Sequence, residues 1–298
     1  MRNIFSFLIV LFMSLTTFRA LGFHVERSAG FDAPGTGWSK LLQVKNGNTI
    51  FFHAHKNDGI QIFVYDKSRK QVAKSTITGK NWDVKELGDA RICGLYEING
   101  EAVLFFYEYI SEPVLHRLRI NVETGGLIKE DDLGHAELTS LGWKNVLARF
   151  TNAITVDKDP YSDCYAVTIG DFKMSGSKMR VTHYDGTHKK INEANFLPPA
   201  GNKFVEYSSL VVNGNKGVYL IGAFHDRQLM SLNLDFDLVL AKLGAGDKTF
   251  KSIKVNPDAD FEKLKTVISY NPNNNKVVLY FKRHSLVHFG YQRIGTLG

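Results

Sequence analysis

The stretch Ser39–Asp66, SKLLQVKNGNTIFFHAHKNDGIQIFVYD, decides the fold. It holds three apolar runs separated by two polar breaks, Asn46-Gly47 and Asn57-Asp58-Gly59. Asn and Gly tolerate the positive φ that tight hairpin turns require. The runs are rich in Ile, Phe, Val and Tyr, which pack well on a pleated, half-buried surface. The central run, TIFF, is apolar without alternation, as expected of a strand covered on both faces. The unit therefore reads as an antiparallel meander.

The same unit recurs. A second copy is ICGLYEI, Asn99-Gly100, EAVLFFYEY, a loop at Ser111-Glu112-Pro113, then VLHRLRIN. A third is looser: NAITVD, a turn containing Pro160, CYAVTIGDF, a turn at Ser175-Gly176-Ser177, then MRVTHYD. The fourth is YSSLVV, Asn213-Gly214-Asn215, GVYLIGAF, His225-Asp226-Arg227, then LMSLNLD. The fifth is KTVISY, Pro272-Asn273-Asn274-Asn275, KVVLYFK, then LVHFGYQ. The first turns, at Gly47, Gly100, Ser162, Gly214 and Asn274, lie 53, 62, 52 and 60 residues apart. The surplus over three strands falls in polar connectors such as 80–88 and 192–203. These have room for a fourth, outer strand, for which DVKEL (83–87) and FKSIKV (250–255) are the expected sequences. Helix signal is nearly absent; 261–265 is read as one short turn.

Five consecutive meanders bury their faces most economically by radial stacking. In architecture the chain resembles the β-propeller superfamily over about residues 37–298, although no motif of a particular family is in place. Trp82-Asp83 occurs once and in a connector, and sialidase-type Asp boxes are missing. The fold class expected is all-β, a propeller of about five blades, with units near 37–88, 89–145, 146–203, 204–260 and 261–298. A β-sandwich is the alternative. Since the last copy ends after its third strand, the segment FHVERSAGF (23–31) is expected to supply the missing outer strand and close the ring.

Residues 1–20 read as a signal peptide. Arg2 precedes an apolar stretch from Ile4 to Leu15, and Ala20 offers a cleavage position, with Phe18 a poor fit two residues before it. An uncleaved anchor is the alternative. The rest, 21–298, reads as one exported domain, secreted, periplasmic or at the cell surface, with no further membrane-spanning run. Cleavage removes Arg2 and Arg19 and no acid, so the formal charge of +7 becomes +5. Basic residues are scattered, so a nucleic-acid footprint is not expected. The two cysteines, Cys93 and Cys164, read as unpaired core thiols, with a disulfide between them as the alternative that an oxidising compartment permits.

No catalytic fingerprint is present, and no cofactor is expected. Asp157, Asp159 and Asp163 are rich in oxygen but lack the spaced Glu of a calcium loop. His53 and His55, two apart on a strand, share a face and are weak metal-ligand candidates in want of a third group. The ends of the second strands supply the binding candidates: His53 and His55; Tyr107, Glu108 and Tyr109; Asp171; His225 and Asp226; Arg283 and His284. In a propeller these lie on one rim, where a rigid scaffold displays ligand-binding groups. The first reading is a non-enzymatic binding or scaffold protein for an unknown protein or glycan. The alternatives are an extracellular glycoside hydrolase or lyase using the rim carboxylates Glu108, Asp171 and Asp226, and a metal-binding protein using the paired histidines.

Overall fold

The computed structural model describes residues 37–88, 90–108, 112–137, 154–173, 176–198, 204–225, 236–255, 264–274, 276–283 and 291–294. Segments 1–20 and 23–31, with the export and ring-closing expectations they carry, lie outside them.

The described strands form five antiparallel sheets in chain order. The first holds β1 (Trp38–Gln43), β2 (Thr49–His55), β3 (Gly59–Tyr65) and β4 (Gln71–Ile77). The second holds β5 (Arg91–Ile98), β6 (Glu101–Tyr107), β7 (Val114–Asn121) and β8 (Leu127–His135). The third holds β9 (Ile154–Lys158), β10 (Tyr165–Lys173), β11 (Gly176–Tyr184) and β12 (Lys190–Phe196). The fourth holds β13 (Phe204–Asn213), β14 (Gly217–His225), β15 (Phe236–Gly244) and β16 (Lys251–Lys254). The fifth holds β17 (Leu264–Asn271), β18 (Lys276–Arg283) and β19 (Tyr291–Ile294). In every sheet the spatial order follows the sequence, the signature of a meander.

Stacking explains the apolar middle strands. Ala102, Leu104 and Phe106 of β6 enter a core shared with Ile50, Phe52 and Ile62 of the first sheet. The alternate residues Val103, Phe105 and Tyr107 enter a second core with Tyr165, Val167 and Ile169 of the third. β14 repeats the device, sending Val218 and Leu220 toward the third sheet and Tyr219 and Ile221 toward the fifth. Four such cores join the five sheets, and a strand with both faces buried cannot alternate polar with apolar. The first strands neighbour one another in succession, β1 to β5, β9, β13 and β17, so the sheets radiate from them as propeller blades.

Asn99 and Gly100 adopt φ of 52° and 75° in a two-residue turn that pairs Ile98 with Glu101. Gly47 and Gly214 are likewise at positive φ, 92° and 48°.

Several local expectations need correction. DVKEL is no strand: residues 84–88 form a 3-10 turn, begun by Asp83 Oδ1 accepting the Lys85 N–H at 2.9 Å. The outer strand of the first sheet is β4, whose largely exposed residues hid it among the connectors. FKSIKV does contain one, β16. The third strand of the fourth sheet is β15 rather than LMSLNLD (229–235), which lies outside the described residues; FDLVLAKLG carries the apolar side chains that face both neighbours. Gly176 and Ser177, expected in a turn, open β11 opposite Lys173 and Phe172. Leu264 and Lys265, expected in a helical turn, open β17. In the last strand only Tyr291 and Gln292 of LVHFGYQ are described, paired with Lys282 and Phe281.

Both cysteines are free. Cys93 packs against the core between the second and third sheets and Cys164 lies in the core between the third and fourth, so sheet three stands between them. Burial, with a smaller contribution from Asp157, pushes the Cys93 thiol up to about 12.

Candidate functional site

The two ends of the blades differ. At one end lie the hairpin turns joining first to second strands, and these are tied to each other. Glu97 accepts the Lys45 N–H at 2.7 Å, and Asp163 accepts the Asn99 N–H at 3.0 Å and pairs with the Lys45 ammonium at 3.6 Å. Asp159, buried, accepts from Tyr161 N–H, Ser162 hydroxyl and Gly214 N–H at 3.0, 2.6 and 2.8 Å. The turns of sheets one to four are thus laced together. Asp159 and Asp163, two of the three acids considered for calcium, serve this lacing, and among the described residues no three His, Cys, Asp or Glu side chains gather as metal ligands.

The other end carries the long connectors between blades and the ends of the second strands. His53 and His55 stand there on one face, their rings 6.4 Å apart and nearly parallel at 13°. His53 is buried with Nδ1 on the Ser39 hydroxyl at 3.0 Å; His55 Nδ1 accepts the Asn57 N–H and lies 3.3 Å from Asp58. Burial, then the neighbouring His55, lowers the His53 pKa. Both rings make these contacts through Nδ1, and among the described residues no third His, Cys, Asp or Glu joins the pair as a metal ligand.

Tyr107 was expected on display at the rim; instead it is buried in the core between sheets two and three, because residue alternation turns it inward. Asp171 accepts the Glu137 N–H at 3.3 Å and pairs with Lys178 at 3.2 Å. His225 ends β14 opposite Phe204 and Phe236, and Arg283 ends β18 opposite Leu264. Tyr109, Asp226 and His284 lie outside the described residues.

Glu108 has the most chemical surroundings. It follows β6 two residues after Phe106, hence on the face toward sheet one. His116 is the cross-strand partner of Phe106, and Asp132 is the partner of His116. His116 is buried, bonds Asp132 through Nδ1 at 2.8 Å and packs on the Phe106 ring at 5.2 Å. The connector closes over them: Trp82 meets Phe106 edge-on at 5.4 Å, and the Asp83 N–H donates to Glu108 Oε1 at 2.9 Å. Glu130 holds that connector by accepting the Lys80 and Asn81 N–H groups at 3.1 and 3.0 Å. Burial raises the Glu108 pKa, and the charges of Glu86 and Asp83 add to it, against the opposing pull of the Asp83 hydrogen bond and His116.

His116 and Asp132 were not among the sequence candidates. Their signal was available: His116-Arg117 interrupts the apolar run VLHRLRIN, and Asp131-Asp132 stands opposite in the next strand.

No protein-family model matches the chain, and no curated protein matches it. Among solved structures it is similar to an exo-1,5-α-L-arabinanase from a bovine ruminal metagenomic library, at 12% identity over 90% of this chain and 95% of that one, TM-score 0.35. It is also similar to an endo-arabinase from Bacteroides thetaiotaomicron, at 10% identity over 87% and 92%, TM-score 0.33. A third is the α-L-arabinofuranosidase of family GH93 from Fusarium graminearum with arabinobiose, at 11% identity over 88% and 83%, TM-score 0.41. At these values the likeness carries no argument about activity, and the propeller assignment stands on the sheet order and the four shared cores.

Proposed function

We propose that the chain is an exported glycan-active enzyme, a hydrolase or lyase working at the connector end of the blades with Glu108 as its proton donor. The observation supporting this is the environment of that one carboxyl: buried, bonded to the Asp83 backbone, and held above the ordinary glutamate value by burial and two neighbouring acids. Cleaving a glycosidic bond needs a carboxyl that keeps its proton while a second carboxylate stays ionised. Asp171, 3.2 Å from the Lys178 ammonium at the equivalent strand end of the next sheet, is the second carboxylate this reading names. A display surface for protein or glycan alone would present aromatic rings at the rim. Among the described residues, Tyr107 is buried there, and the exposed tyrosines, Tyr161 and Tyr280, stand elsewhere, in the β9–β10 turn and on β18.

The test is a panel of plant, algal and bacterial polysaccharides incubated with wild type and Glu108→Gln. Reducing ends and the ultraviolet absorbance of unsaturated products are followed. The reading expects release from at least one polymer, cut about 100-fold or more in the variant, the usual scale for losing a general acid. Binding without release from any polymer would return the chain to the binding class.

A further inference from the structure

A buried chain of polar groups crosses the seam between sheets two and three. Arg117 on β7 donates from Nε and Nη2 to Asp131 Oδ2 on β8 at 3.0 and 2.6 Å, and from Nη1 to the Tyr165 hydroxyl on β10. Tyr165 OH meets His188 Nδ1 at 3.1 Å. His188 Nε2 lies 3.5 Å from Glu101 Oε2, and Glu101 receives Nε and Nη2 of Arg119 at 2.6 and 2.7 Å. Tyr184 stacks on Tyr165 at 5.0 Å, with Arg117 over its ring. Tyr165 and Arg117 are buried, and His188 is 8% exposed.

His188 reaches the seam from the β11–β12 turn at a φ of 67°. Asp185 fixes that turn by accepting from Thr187 N–H, Thr187 hydroxyl and Lys189 N–H at 2.8, 2.8 and 3.0 Å. The β3–β4 turn is built alike on Asp66, with exposed Arg69 at the corresponding position and a φ of 64°. The scaffold is therefore common to both blades, and the inserted imidazole belongs to one.

The donor pattern assigns the tautomer. Because Arg117 donates to the Tyr165 oxygen, the Tyr165 hydroxyl gives its own proton to His188 Nδ1. Neutral His188 then carries its proton on Nε2, 3.5 Å from Glu101 Oε2 and short of a hydrogen bond to it. A proton added at Nδ1 reverses this: the Tyr165 proton loses its acceptor, and a further cation joins Arg117, Arg119 and Lys129 against two carboxylates, Asp131 and Glu101.

We propose that His188 is a proton-operated clasp, joining sheets two and three while neutral and releasing that seam when protonated in acid. The groups facing it are Glu101 from β6, Arg117 and Arg119 from β7, Tyr165 from β10 and Tyr184 from β11. Asp131 and Lys129 of β8 stand one contact further away, and Asp185 and Lys189 flank it in its own turn. Its pKa is lowered to about 4, first by burial and then by the two arginines, against an upward pull from Glu101. A histidine depressed in the folded state binds protons more readily unfolded. Stability is therefore full above the ordinary value of 6.5, declines as pH falls below it, and levels off under about 4.

The experiment compares urea unfolding of wild type and His188→Asn from pH 7.5 to 4 (pH values chosen to bracket about 6.5 and about 4). Asn accepts the left-handed backbone and does not titrate. Wild type should lose on the order of 100-fold more in its folding equilibrium constant over that interval than the variant. In wild type alone, deuterium exchange at the imidazole C2 position, read by mass spectrometry, should place the His188 midpoint well under 6.5, near 4. Parallel stability curves, or a His188 midpoint at or above 6.5, would overturn the clasp.

Discussion

Replacing Asp159 by Ala should weaken the whole domain, although the residue sits in a surface turn. The carboxylate accepts three hydrogen bonds, two within its own turn and one from Gly214 in the next blade. Hydrogen bonds to a charged group contribute roughly 1.5–3 kcal/mol each. The Tyr161 and Ser162 donors are near solvent and recover part of their share from water. The Gly214 bond crosses between blades and has no substitute, so the net cost is about 3 kcal/mol. Asp159→Asn keeps one carbonyl oxygen and should cost about half as much, roughly 1.5 kcal/mol. Urea titration followed by tyrosine and tryptophan fluorescence measures both. With a slope of about 2 kcal/mol per molar, the Ala midpoint falls by about 1.5 M. A midpoint within about 0.3 M of wild type at unchanged slope would refute the reasoning that this acid laces the turns. Calcium should move neither midpoint; a calcium-dependent rise in wild type alone would return Asp159 to metal binding.

Phe106→Ala removes a fully buried ring between Trp82 and His116 and should cost about 4 kcal/mol in the same titration; a loss under about 1 kcal/mol would contradict the packing. Gly100 and Gly125 have similar φ, 75° and 69°, but a β-carbon meets nothing at the first and lies 3.1 Å from Ile62 and Ser75 at the second. Gly100→Ala should therefore cost about 1 kcal/mol and Gly125→Ala at least about 2 kcal/mol, and equal losses would count against the contact. Ellman's reagent should titrate two thiols in denaturant and leave Cys93 unreacted in the native protein, its thiol being pushed up to about 12; rapid native labelling of Cys93 would contradict that upward shift.

The blades were legible because a middle strand with two buried faces has a distinctive composition. AVLFF and VYLIGAF stand out once the Asn-Gly turns are placed, and both proved to feed alternate residues into two cores. The outer strands were harder to find. β4 is mostly solvent-facing and β16 wholly so; such a strand resembles a polar connector in sequence. The third-to-fourth strand turns do carry a local pattern: YDKSRK and YDGTHK share an aspartate that accepts from residues two and four positions on.

The site was legible only as an end of the molecule. Glu108 and Asp171 could be placed at equivalent strand ends from turn spacing. Whether a side chain at such an end points outward or into a seam depends on register, which set Tyr107 in a core and Glu108 on the opposite face. Cross-blade partners such as His188 with Glu101, or Asp159 with Gly214, join residues whose pairing no local pattern encodes.

The account turns on the protonation of Glu108. Carbon-detected NMR of protein labelled at glutamate side-chain carboxyls, with Glu108→Gln used to assign the resonance, gives its titration midpoint directly. The account predicts a midpoint above 4.5, the value of an unperturbed glutamate. A midpoint at or below 4.5 would contradict it and remove Glu108 as proton donor.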